Sequence, residues 1–88
     1  MSEMYYFYIL YSPQLDKYYL GNTSNIEARI RKHNSNHKGF TGKANDWGLV
    51  YSEVYSDKHE AYLRERQVKK WKNRKRIETL ISKRNISD

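Results

Sequence analysis

The 88-residue chain contains no cysteine. That absence excludes a disulfide scaffold, a zinc–thiolate site, an iron–sulfur cluster and thiol catalysis together. It also fits a reducing compartment. No apolar run approaches the roughly 18 residues of a membrane span, and Met1-Ser2-Glu3-Met4 lacks the basic start of a signal peptide. A soluble, cytoplasmic protein with no membrane partner is expected. No internal repeat or low-complexity linker interrupts the chain. One domain is expected over residues 1–82, followed by a frayed tail over 83–88 that has little to bury. A domain this small buries only about 60–65% of the surface its unfolded chain exposes, so its core must be economical.

Aromatic rings and positive charge are what the chain does have. Nine tyrosines and two tryptophans supply apolar area in large pieces, on the order of 150–250 Å² per ring. Seventeen Lys and Arg against ten Asp and Glu give a net charge of +7. The excess is not evenly spread. Residues 1–57 hold six basic and six acidic residues, whereas residues 58–88 hold eleven basic and four acidic ones. All of the net charge therefore falls on the last third, with Trp71 inside the charge run. Such asymmetry is the electrostatic footprint of a protein that meets a polyanion, although a solvated helix face has the same composition.

Tyr5-Tyr6-Phe7-Tyr8-Ile9-Leu10-Tyr11 is an aromatic and branched run too short for an ordinary helix, and it reads as a strand covered on both faces. Pro13 and Asp16 mark a turn, and Lys17-Tyr18-Tyr19-Leu20 forms a second strand, stopped by Gly21. Ser24-Asn25-Ile26-Glu27 has the spacing of a capping box with Ser24 as the cap, and announces a helix. Asn34 to Asp46 is a loop long enough to suspect of function. Trp47 to Ser56 alternates as a third strand. Asp57, three residues before Glu60, caps a second helix running to about Trp71. After a break near Asn73, Ile77, Leu80 and Ile81 mark a last helix. The architecture expected is α+β, a small three-stranded antiparallel sheet flanked by helices in the order β-β-α-β-α-α.

Several residues break this pattern. Ala61, Glu65 and Val68 share one helical stripe, which places a carboxylate on the inward face. An unpaired buried charge is costly, so Glu65 must meet an arginine, a metal ion or solvent in a cleft. An ion pair with Arg29 is the expected partner, with a metal as the alternative; Arg64, Arg66 and Lys69 point elsewhere on the wheel. Arg29 and His33 are four apart and share a face of the first helix. With a glutamate and a tyrosine-rich sheet they would supply a phosphate clamp, a proton carrier and a metal ligand, the parts of phosphodiester cleavage. Tyr8 and Tyr19 read first as core, and Gly21 as either a turn glycine or a place where backbone approaches a phosphate. His37 and His59 read as surface residues, and the histidines have no metal-ligand spacing.

Taken together these residues resemble the GIY-YIG nuclease superfamily, most nearly its small stand-alone bacterial members. Tyr6-Phe7-Tyr8 stands at the first tripeptide and Tyr19-Leu20-Gly21 at the second. Arg29 to His33 stands in the arginine helix. Glu60 to Glu65, followed by Val68-Lys69-Lys70-Trp71, stands in the glutamate helix. The likeness runs from residue 5 to about 81. It implies hydrolysis of DNA, branched or damaged DNA included, in repair or recombination, with one divalent metal ion, Mg²⁺ or Mn²⁺, and no small-molecule cofactor. It further implies that Glu65 ligates the metal, that Arg29 stabilises phosphate charge, that Tyr8 and Tyr19 lie beside the phosphate, and that Gly21 leaves room for it. His33 would be an accessory acid, base or phosphate contact. The basic continuation, Lys69, Lys70, Lys72 and Arg74, is the expected nucleic-acid contact.

Two positions depart from the family pattern. Tyr6 replaces the first glycine, and Asn22 stands where several active members carry a lysine. Asn73 is a candidate for the polar residue that follows the glutamate helix in many members. The rival reading is a nucleic-acid-binding module of the same fold that cuts poorly or not at all.

Overall fold

The computed structural model describes residues 3–35 and 39–86; His37, expected at the surface, lies outside the described residues. Three strands, β1 (Tyr5–Ser12), β2 (Lys17–Thr23) and β3 (Gly48–Tyr55), form one antiparallel sheet in the order β2-β1-β3. Helix α1 (Ile26–His33) follows the hairpin, and α2 (Lys58–Lys69) and α3 (Arg74–Ile86) follow β3. This is the α+β order read from the sequence. No helix among the described residues is long and apolar enough to cross a membrane.

The unbroken apolar run of β1 is explained by its central place in the sheet. Phe7, Ile9 and Leu10 are fully buried and Tyr8 nearly so. Alternation then divides them between two thin cores. Phe7 and Ile9 pack with Leu20, Tyr51 and Val68 beneath α2 and α3, while Tyr8 and Leu10 pack with Ala44 and Trp47 beside Ile26 and Ile30 of α1. A bulge opposite Ile9/Leu10 shifts β3 by one residue, which bends that strand without disturbing β1.

The caps explain where helices begin and end. The cap of α1 is Asn25, not the expected Ser24: its side chain accepts from Ala28 N at 3.0 Å. Thr23 Oγ1 accepts from Asn25 N at 3.1 Å, a local turn that sets the boundary one residue later. Asp57 caps α2 as expected, accepting from His59 N at 3.1 Å. That helix ends at Lys69, short of Trp71, because Lys72 adopts a left-handed φ of 47° and Asn73 Oδ1 caps α3 through Arg76 N at 3.2 Å. Helix α3 continues to Ile86, into the stretch expected to fray.

Two ionic clusters pin the helices to the sheet. Glu53 on β3 accepts from Arg64 Nε at 2.9 Å and Nη2 at 3.1 Å, and from the hydroxyls of Tyr51 and Tyr55 at 2.5 and 2.6 Å. Arg74 donates to the carboxylate and carbonyl of Asp16 at 2.6 and 2.9 Å and to Glu78 at 3.0 Å, and lies over the ring of Tyr18. The first cluster holds α2 against β3, and the second ties α3 to the hairpin turn. Trp71, the aromatic residue inside the charge run, packs against the Phe7 core with Arg76 over its face at 4.1 Å.

Candidate active site

The residues singled out from the sequence gather at β2, an edge strand of the sheet. From the α1 side come Tyr8, Tyr19, Gly21, Arg29 and His33. Tyr8 lies opposite Gly21 in the ladder. A Cβ on Gly21 would stand 2.5 Å from the Tyr8 hydroxyl oxygen and 2.7 Å from its Cζ. The room that Gly21 leaves is thus taken by the phenol, where the sequence suggests a turn or space for a phosphate.

His33, buried at the end of α1, has Nε2 at 3.0 Å from the Tyr8 hydroxyl and Nδ1 at 3.0 Å from Thr41 Oγ1. With its proton on Nδ1, the imidazole donates to Thr41 and accepts from Tyr8. The Tyr19 ring packs on His33 with centroids 4.6 Å apart. Burial raises the Tyr8 phenol well above its ordinary range, with Tyr19 and Glu65 adding to the rise and Arg29 opposing it. Tyr8 therefore keeps its proton at neutral pH and is a donor at rest.

Glu65 enters from the α2 side. It sits on the inward stripe between Ala61 and Val68, both fully buried, with its own side chain 14% exposed. Asn22 Nδ2 donates to Oε1 at 2.5 Å, and Lys69 Nζ stands 2.5 Å from Oε2. Among the described residues its ion pair is with Lys69, not with the Arg29 expected. The reason is local: Lys69 is one turn further along the same helix, where i,i+4 side chains meet. Arg29 instead lines an open cleft of about 300 Å³ with Asn22, Thr23 and Ser24. Asn22 is the hinge between the two sides, lining that cleft while bonding Glu65.

Beyond Glu65 the surface becomes cationic. Lys69, Lys70 and Lys72 line a hollow of about 430 Å³ with Tyr62, Glu65 and Arg66, and Lys69 and Lys72 also flank Tyr19 and Leu20. Arg74, expected among these contacts, differs from the three lysines because its guanidinium is committed to Asp16 and Glu78. A hollow of similar size, between Gln14, Asn34 and Lys43, lacks both the tyrosines and Glu65. His59 is exposed, as expected.

No group of three or more histidine, aspartate or glutamate side chains able to hold a metal occurs among the described residues. A divalent ion here would have one protein carboxylate, Glu65. That donor set fits a hard cation of the Mg²⁺ type, which keeps several waters and shares substrate phosphates, and not a zinc site of three or four protein ligands.

Three contacts of the site escape the sequence reading, that of Thr41 with His33 and those of Asn22 and Lys69 with Glu65. Thr41 lies in a 3-10 turn, Phe40–Lys43, within the stretch expected to be a loop, and only the fold brings it to His33. Alternation places Asn22 on the face opposite Tyr19, toward α2, and is the signal that could have found it. Lys69 follows Glu65 by four residues, the spacing that puts Ala61 and Glu65 on one stripe, so the wheel itself is the signal that could have found it.

A family profile described as the GIY-YIG catalytic domain matches residues 4–78, a span that includes every residue of this site. The chain is 38% identical over 64 residues to a UPF0213 protein of Staphylococcus haemolyticus, covering 70% of this chain and 77% of that one. It is 35% identical over 86 residues to a UPF0213 protein of Clostridium perfringens, covering 97% and 90% respectively. No solved structure gives a significant match. The two tyrosine strands, the arginine helix and the glutamate helix thus stand in the order of a named catalytic domain, and the chain belongs to the GIY-YIG nuclease family.

Proposed function

We propose that this protein is a metal-dependent endonuclease hydrolysing DNA phosphodiester bonds, branched or damaged DNA included, in repair or recombination, with residues 1–82 acting as one domain. The observation that carries this reading is the surroundings of the Tyr8 hydroxyl. It is bonded to a buried imidazole and lies opposite Gly21 in the ladder, one residue before the Asn22 that bonds Glu65 and shares a cleft with Arg29. A proton acceptor, a cation for the phosphate and a carboxylate for a metal thus border one stretch of the edge strand β2.

Glu65 would hold the divalent ion, Mg²⁺ or Mn²⁺, which when bound neutralises phosphate charge and makes a nucleophilic water available near neutral pH. Arg29 offers a planar fork of donors to the non-bridging oxygens, where charge builds in the transition state. Water attacks phosphorus as its proton passes to the Tyr8 oxygen and the phenol's own proton passes to His33 Nε2. The bond from phosphorus to the leaving sugar oxygen breaks, and that oxygen takes a proton from solvent. Because the phenolate is disfavoured by burial, the two transfers to and from Tyr8 must be concerted. Tyr19, half-buried, borders the groove beside Lys69 and Lys72, and there it would steady the nucleic-acid backbone.

One observation favours the rival, a binding module of weak activity: both oxygens of Glu65 already have partners. The two readings separate when purified protein is incubated with labelled duplex, single-stranded and branched DNA, with Mg²⁺, Mn²⁺ or chelator. Cleavage is expected with metal and not with chelator, and Glu65→Ala should abolish it while DNA binding persists or tightens. Arg29→Ala should lower the rate by about 10²–10³, the scale of one lost transition-state charge contact. Arg29→Lys should do nearly as badly, since an ammonium lacks the fork. DNA binding without cleavage under any of these conditions would establish the binding module instead.

A further inference from the structure

In the carboxylate of Glu65 a negative charge on an inward helical stripe is balanced by a side chain of its own helix. The Lys69 ammonium lies 2.5 Å from Oε2, while Asn22 holds Oε1. The two partners differ in freedom. The Lys69 side chain is 52% exposed, against 14% for Glu65, so the ammonium caps the carboxylate from its solvent side on a flexible four-carbon stem. Asn22 is carried on β2, paired to Phe7 of the central strand. Release of Lys69 therefore leaves Glu65 held in place by Asn22.

We infer that Lys69 is the resident counter-ion of the metal site: a divalent cation arriving at Glu65 displaces the ammonium, which moves onto a phosphate of the bound nucleic acid. The inference rests on the reading of Glu65 as the metal-holding residue. Its physical basis is exclusion. An ammonium and a divalent ion at the same oxygen repel each other at contact distance, and the divalent ion makes the stronger claim on a carboxylate. The displaced ammonium already borders the groove lined by Lys70, Lys72, Tyr62 and Arg66, so a change of side-chain rotamer suffices to point it at a backbone phosphate. Metal and nucleic acid then favour each other's binding through one lysine, because either ligand frees the partner the other needs. By linkage the effect must be equal in both directions.

The test needs neither turnover nor DNA. Mn²⁺ binding to the full chain is measured by electron paramagnetic resonance for wild type, Lys69→Met, Lys69→Gln, Lys69→Arg, Lys70→Met and Glu65→Gln, with thermal melts to establish that each is folded. Lys69→Met and Lys69→Gln should bind Mn²⁺ about two- to fivefold more tightly, the range set by losing a competing ion pair at a partly exposed site. Lys69→Arg should stay near wild type. Lys70→Met should also stay near wild type, since it removes the same net charge without touching Glu65. Glu65→Gln should lose binding. Should the neutral Lys69 variants bind no tighter than wild type while Glu65→Gln still loses the ion, the counter-ion inference falls and the metal site stands. A similar gain in Lys70→Met would reduce the effect to general charge and overturn the inference. Mn²⁺ binding that does not depend on Glu65 would remove both.

Discussion

The Tyr8 phenol occupies the space that the missing side chain of Gly21 leaves, its oxygen 2.5 Å from where a Cβ would stand. That oxygen is the far end of a residue only 2% exposed and bonded to His33, so it has little room to retreat. Gly21→Ala should therefore break the Tyr8–His33 bond, lower stability by about 1–3 kcal/mol through overpacking and reduce cleavage. Adding Tyr8→Phe to Gly21→Ala removes the closest atom, and should recover part of the melting temperature without recovering activity. Equal melting temperatures for wild type and Gly21→Ala would show that the phenol moves freely and that the glycine serves another purpose.

Much of this site is legible in the sequence, for identifiable reasons. The unbroken apolar run of β1 and the stripe of Ala61, Glu65 and Val68 are local patterns, and they survive folding because a central strand buries both faces and a covering helix buries one. The cap Asp57 acts through its own backbone neighbourhood and is equally readable. What escapes has two causes. One is a misread spacing: Lys69 follows Glu65 by four residues, as Glu65 follows Ala61, so the wheel puts the lysine on the same face and not elsewhere. The other cause is distance along the chain. Thr41 meets His33 only because the intervening loop folds back. Arg74 reads as a free cation in a basic run, since nothing near it in sequence marks Asp16, 58 residues away, as its partner.

That commitment of Arg74 separates it from the lysines in a measurable way. Neutralising Lys69, Lys70 and Lys72 together should flatten the log–log salt dependence of duplex binding by about 0.9 per lost phosphate contact, with little change in stability. Arg74→Ala should do the reverse. It leaves the slope nearly unchanged and lowers the melting temperature, because α3 loses its tie to the hairpin turn. The effects compare directly when binding is measured at several salt concentrations alongside thermal melts. If Arg74→Ala flattens the slope as much as a lysine change does, its contacts with Asp16 and Glu78 yield to phosphate.

The Glu53 cluster predicts how stability responds to pH. Burial alone would raise this carboxyl, but hydrogen bonds from Arg64, Tyr51 and Tyr55 outweigh it and hold the pKa below the usual 4.5. A depressed pKa in the folded chain means stability that is present above the unfolded value and lost as pH falls through the folded one. The melting temperature should accordingly drop below about pH 4.5, and Glu53→Gln should flatten that acid limb while lowering stability at neutral pH. In alkali the sign reverses. Tyr51 and Tyr55 are pushed up to about 12, chiefly by burial and then by Glu53, so their contribution is whole below about pH 10 and lost as pH rises towards 12. An acid limb unchanged in Glu53→Gln would place the acid sensitivity elsewhere.

Thr41 offers the sharpest test of the proton path, because it touches His33 without lying on the strand or helix that carries the other site residues. Its hydroxyl faces Nδ1 at 3.0 Å, and its carbonyl accepts from Trp47 Nε1 at 2.9 Å, which anchors the loop. If the hydroxyl keeps the imidazole proton on Nδ1, then Nε2 is left as the acceptor that Tyr8 requires. Thr41→Val preserves shape and removes the hydroxyl that faces Nδ1, so it should lower kcat by about 10–100-fold, the scale of losing a hydrogen bond that orients a working histidine, with KM for DNA little changed. Thr41→Ser, which keeps the hydroxyl, should restore most of the rate. Nitrogen-15 shifts of the His33 ring read the tautomer directly, and should report Nδ1 protonated in wild type and Thr41→Ser and a mixture in Thr41→Val. A Thr41→Val protein with wild-type kcat, or a His33 ring protonated on Nε2 in wild type, would reverse the direction of the Tyr8–His33 bond. The imidazole could not then accept the phenol's proton.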